Sequence, residues 1–141
     1  MANVIPFAFR GELFTGTHNF ASGGDSFKLA LYTANPYNTS STVYNATSEL
    51  SASGTNYTTT GNALTGNAVV ATTAVASTDF ADSTWASATF TAAYGAIYND
   101  DQSDKLCVVL DFSGSKPATN GTFKVSFPDP TTAADAIISM A

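Results

Sequence analysis

Tyr94-Gly95-Ala96-Ile97-Tyr98-Asn99-Asp100-Asp101-Gln102-Ser103-Asp104-Lys105-Leu106-Cys107-Val108-Val109-Leu110-Asp111-Phe112 reads as strand, polar turn, strand. Ala96, Ile97 and Tyr98 run into a cluster of turn-forming side chains, Asn99 to Asp104, and Leu106 to Leu110 then form an unbroken apolar run. A short apolar run rich in valine and bounded by turn residues suits a strand covered on both faces. This hairpin is the expected centre of a β-rich domain, and the other segments have to cover it.

Downstream, Lys116-Pro117-Ala118-Thr119-Asn120-Gly121 predicts a second turn. Thr122 to Pro128 alternates, with Phe123, Val125 and Phe127 on one face and Lys124 and Ser126 on the other, until Pro128-Asp129-Pro130 breaks it. Ala136 to Met140 is the expected last strand. Upstream, Asp79 to Ser83 is a turn leading to Trp85 and the alternating Ala88-Thr89-Phe90-Thr91. Ala63 to Ser77, low in charge and rich in Val, Ala and Thr, reads as one strand or as two broken near Gly66-Asn67. Ser26 to Thr33 alternates Phe27, Leu29 and Leu31 with Lys28, Ala30 and Tyr32, the period of a half-buried strand. Pro36 ends it by removing a ladder donor and restricting its predecessor.

Residues 34–66 are long, polar and spotted with Tyr37, Tyr44 and Tyr57. A helical turn near Thr42–Ser48 and an edge strand over Asn56–Thr60 are the elements expected there. Long segments of this kind are often functional, and tyrosine, a rigid apolar ring with a polar tip, suits a binding face. The alternative is a solvated Ω-type loop. At the N-terminus the spacing of Phe9 with Leu13 and Arg10 with Phe14 after Pro6 predicts a short helix over residues 7–16. Gly11 argues for an irregular docking arm instead.

The 141 residues suit one domain. About seven or eight strands with no helical crossovers favour a mainly β fold, an antiparallel β-sandwich of jelly-roll or Ig-like type with one N-terminal helix. Charged residues make up only 11% of the chain, so a life packed against other subunits is expected, since free monomers usually carry interspersed charge. The net charge of −6 and the lack of a basic stripe argue against direct nucleic-acid binding. No apolar run reaches the length of a bilayer span. The start, Met1 to Phe7, lacks the basic and long apolar regions of a signal peptide, so export by that route is not expected.

Chemistry is sparse. Cys107, the single cysteine, has no disulfide partner and sits in an apolar run, so it reads as a small buried hydrophobe with no base near it in sequence. His18 is the single histidine and reads as a local hydrogen-bonding residue rather than a catalytic base. Zinc would need more Cys or His ligands. The acidic tip Asp100 to Asp104 lacks the spacing of an EF-hand loop and reads as solvated. Glu12 and Glu49 are the only glutamates, and neither falls on a clear strand end as a glycosidase pair would require. Trp85 is expected to lid the core, with sugar stacking as the alternative. Asn45, Asn56 and Asn120 head glycosylation sequons that mean little without secretion. Nothing here calls for a catalytic residue, a metal or another cofactor.

Several segments together resemble a family of small structural virion proteins of tailed bacteriophages. They are Ser26-Phe27-Lys28-Leu29-Ala30-Leu31-Tyr32-Thr33, Phe80-Ala81-Asp82-Ser83-Thr84-Trp85 with Ala88 to Ala92, and Ala96-Ile97-Tyr98-Asn99-Asp100 with Ser103 to Leu106 and Leu110 to Phe112. His18-Asn19-Phe20, Gly121-Thr122-Phe123 and Phe127-Pro128 fit as well. The resemblance implies a virion component assembled in the host cytoplasm, such as a capsid decoration or cement protein, or a tail, neck or fibre part. Its implied partners are the major capsid protein or other virion proteins and further copies of itself, a trimer included. The expected contact residues are Phe7, Phe9 and Phe14 of the arm, Tyr37, Tyr44 and Tyr57, and Met140 of the last strand. A carbohydrate-binding module using Trp85 is the reading from another functional class.

Overall fold

The computed structural model describes residues 3–131 and 136–140. Helix α1 (Phe7–Phe14) is followed by seven strands among the described residues: β1 (Phe27–Tyr32), β2 (Asn62–Ala63), β3 (Ala68–Ala71), β4 (Ala76–Asp79), β5 (Ser83–Asn99), β6 (Lys105–Val125) and β7 (Ile138–Met140). They form two antiparallel sheets, ordered β2-β1-β5-β6 and β3-β4-β7, in a sandwich-like arrangement. The fold is mainly β with one short helix, as the strand pattern predicts.

The β5–β6 hairpin is the frame. Its turn is a 3-10 turn, Asp100–Gln102, capped by the Asn99 side chain, which accepts from the Asp101 amide. The hairpin is far longer than the sequence indicated, because its strands run on through Trp85 and Phe123. The second turn expected at Lys116–Gly121 does not exist: Lys116, Pro117, Ala118 and Gly121 pair with Ala92, Thr91, Phe90 and Ala88. The turn-type residues serve as irregularities in the ladder instead. Ser113 and Gly114 (φ 57° and 107°) and Asn120 (φ 45°) bulge β6, and Ser87 (φ 50°) bulges β5. Such bulges bend and twist a long ribbon. Pro117 is tolerated because β6 is the outer strand of its sheet, where a missing amide donor need not break a ladder.

β1 is not half-buried as expected; it is covered on both faces. Phe27, Leu29 and Leu31 join Ile97 and Val108 in the larger core, with Phe9, Phe20, Phe80, Trp85 and Ile138. Ala30 and Tyr32 join Tyr37, Tyr98, Leu106 and Val109 in a second cluster on the opposite face. The first half of β6 is shielded at its edge, since Val4 exchanges both backbone hydrogen bonds with Val109 and Val43 bridges Lys105.

Three further expectations are corrected. Thr42–Ser48 is not a helical turn and Asn56–Thr60 is not a strand; both are irregular apart from isolated bridges and turns. The segment 63–77 breaks near Gly66-Asn67 as expected and again at Thr72–Val75. There the Thr72 amide donates to the Val75 carbonyl and the Thr72 hydroxyl accepts from the Val75 amide, closing the β3–β4 hairpin without glycine.

Candidate interaction surface

The tyrosines of segment 34–66 do not form an outward face. Tyr37 and Tyr57 are buried and Tyr44 is half-buried. An irregular segment satisfies few polar groups through its own backbone, so side chains must do it. The Tyr32 and Tyr37 hydroxyls meet at 2.7 Å, and the Asn45 amide donates to Tyr37 at 2.9 Å. The Tyr57 hydroxyl accepts from the Leu31 amide of β1 at 3.0 Å and donates to Glu49 Oε1 at 2.7 Å. Glu49 also receives the Thr60 amide at 2.7 Å and the Tyr44 hydroxyl. One carboxyl group therefore gathers three donors and pins the segment across β1. Burial pushes the phenol pKa values of Tyr32, Tyr37, Tyr44, Tyr57 and Tyr98 up.

At the N-terminus, α1 places its aromatics on opposite sides. Phe9 is fully buried against His18 and Phe20, with ring centroids at 5.0 and 6.0 Å, so it is core rather than a contact residue. Phe7 and Phe14 point outward at 59% and 90% exposure, and Arg10 lies 5.3 Å from the Phe7 ring centre. Glu12 ties the helix down: its carboxylate meets His18 Nε2 at 2.8 Å and the Lys105 ammonium. Burial raises the Glu12 pKa, but the bonds from Lys105 and His18 outweigh it and leave it below the usual range.

His18 is a hydrogen-bonding residue of long reach. Asn99 Nδ2 bonds its Nδ1 at 3.0 Å and Asp25 Oδ2 at 2.8 Å, while Asn99 Oδ1 accepts the Asp101 amide. That set of partners fixes the amide orientation and makes Nδ1 an acceptor. Cys107 Sγ lies 3.9 Å from the same nitrogen. The pairing of thiol and imidazole escapes the sequence, because the two residues are 89 positions apart. Its chemistry is muted: the thiol is enclosed, and burial and the Glu12 and Asp25 carboxylates push its pKa well up.

Trp85 is buried, stacked on Tyr57 and edge-on to Phe90 and Phe123. It packs the core, and no ring face is left for a sugar. At the acidic tip Asp101 accepts the Ser26 amide and Asp100 pairs with Lys28 at 2.9 Å. Among the described residues no group of three or more His, Cys, Asp or Glu is placed to hold a metal ion.

Among the described residues the exposed large hydrophobics are Phe7, Phe14, Val43, Val69 and Met140. The C-terminal segment stands between two clefts. Ala136 and Ile137 line a wide one of about 690 Å³ with Phe112, Phe123 and Phe127, edged by Lys116 and Lys124. Ile138 and Met140 line a smaller one of about 220 Å³ together with Leu13, Phe20 and Val69. Of the expected contact residues, Phe7, Phe14 and Met140 are free to meet another molecule, Tyr44 in part, and Phe9, Tyr37 and Tyr57 are not. No family model, no curated protein and no solved structure matches the chain.

Proposed function

We propose that this chain is a non-enzymatic structural protein of a bacteriophage virion, acting as a decoration or cement protein that binds between capsomers. The reading rests on the family resemblance of the strand and turn segments, most of which belong to β1, β5, β6 and the turn between β5 and β6. The observation that carries it is the exposure of Phe14, Phe7 and Met140 on a chain with so little surface charge. Large apolar side chains held outward on a rigid scaffold mark contact surfaces. The action is mechanical: many copies each bury a small apolar contact on the shell, and the contacts add through multivalency.

Cryo-EM and quantitative mass spectrometry of purified particles test this. Hundreds of copies on the head support the cement role. A dozen or fewer at the neck, tail or fibres transfers the protein there, and absence from particles overturns the virion assignment.

A further inference from the structure

The geometry points to self-association in which Phe14 of one copy fills the smaller cleft of a second copy. Phe14 is the most exposed of the large hydrophobics, and it stands one residue beyond Leu13, which borders that cleft. The large apolar side chains lining the cleft are Leu13, Phe20, Val69, Ile138 and Met140, interrupted by His18, Asn19 and three hydroxyl side chains, and Val69 and Met140 remain 54% and 58% exposed. Its volume of about 220 Å³ suits one phenyl ring; an apolar cavity of about 150 Å³ holds benzene.

The chain itself supplies the ring that matches the hole, and charge does not oppose the pairing: two copies of net −6 repel over most of their surfaces, yet among the described residues no Asp, Glu, Lys or Arg lines this cleft. Two like-charged molecules approach at least electrostatic cost where neither presents charge. Because knob and hole are neighbours, a two-fold pair exchanges both rings at once. This contact does not rest on the virion reading, since copies would associate in the absence of any particle.

The full-length chain is examined by sedimentation over a concentration series, with p-benzoylphenylalanine at position 14 in a mixture of light and heavy-isotope chains. Reversible association is expected, with light–heavy cross-links from position 14 to peptides holding Val69 or residues 136–140. Phe14→Ala, at an exposed site that folding does not use, should weaken association at least about tenfold, and so should Val69→Asp at the rim. Phe7→Ala should leave it unchanged. A wild-type monomer at millimolar concentration overturns the contact, as do cross-links that map elsewhere. So does a Phe14-dependent capture of the chain by particles without self-association, which would seat another protein on the patch.

Discussion

Tyr57→Phe removes a single oxygen and is expected to loosen the whole of segment 34–61. That oxygen does two jobs: it accepts the buried Leu31 amide and donates to Glu49. The ring stays, so packing against Trp85 and Phe90 is retained. An orphaned buried amide costs about 1–3 kcal/mol, and a lost bond to a carboxylate about 1.5–3 kcal/mol. Relief from burying the hydroxyl offsets part of this, leaving about 2–4 kcal/mol. With a slope of about 2 kcal/mol per molar urea, the midpoint should fall by about 1–2 M with the slope unchanged. Tyr44→Phe is the internal comparison. It removes a donor to the same carboxyl group but orphans no amide, and should cost about half as much. If Tyr57→Phe costs no more than Tyr44→Phe, or if both lie within about 0.5 kcal/mol of wild type, the Glu49 centre does not hold the segment.

Gly61→Ala should be among the most damaging small substitutions. The backbone there has φ +85°, and an added Cβ would lie 2.0 Å from the Leu29 carbonyl oxygen, so a loss above about 3 kcal/mol in denaturant melts is expected. Gly11→Ala meets nothing within 4 Å inside a helix and should stabilise by about 0.5–1 kcal/mol in the same melts. The raised phenol pKa values mean that the folded state keeps Tyr32, Tyr37, Tyr44, Tyr57 and Tyr98 protonated where the unfolded chain ionises. Their stabilisation is full below about pH 10 and drains away above it. Absorbance at 295 nm should therefore climb in one cooperative step with loss of circular dichroism, and a gradual rise with the fold intact would contradict the buried network. The depressed Glu12 pKa has the opposite sign: its contribution is full above the ordinary glutamate value of about 4.3 and is lost as pH falls through the lower folded value. Thermal melts across that acid limb should be flatter in Lys105→Met than in wild type, and equal slopes would remove Lys105 from the account.

The hairpin is legible because Leu106 to Leu110 is an apolar run abutting an Asp-rich turn. Its length is not legible, since Gly114, Pro117, Asn120 and Gly121 carry the same signals whether they reverse the chain or bulge it. The turn at Thr72–Val75 shows the converse, a reversal made by a threonine side chain with no Gly, Pro or Asn to announce it. Tyrosine defeats the surface reading for a related reason. A ring with a polar tip suits an interface and also suits a loop that must hydrogen-bond inward, and only the position of Glu49 decides between them. Phe9 and Phe14 share one short helix yet part company, and helical spacing does not say which side faces β6. The set of His18, Glu12, Lys105, Asn99 and Cys107 has no sequence signal, since its bonded partners stand up to 93 positions apart.

The anchoring of the first residues to β6 bears on how the chain is made. Glu12 finds Lys105 only 93 positions later, and the Asn3 side chain meets the Asp111 amide 108 positions later. At about 5–20 residues per second, the N-terminus waits on the order of 5–20 s for the ribosome to deliver its partners. Through that interval Phe9 is exposed beside Phe7 and Phe14, because the helix that carries all three is tied down only after β6 has emerged.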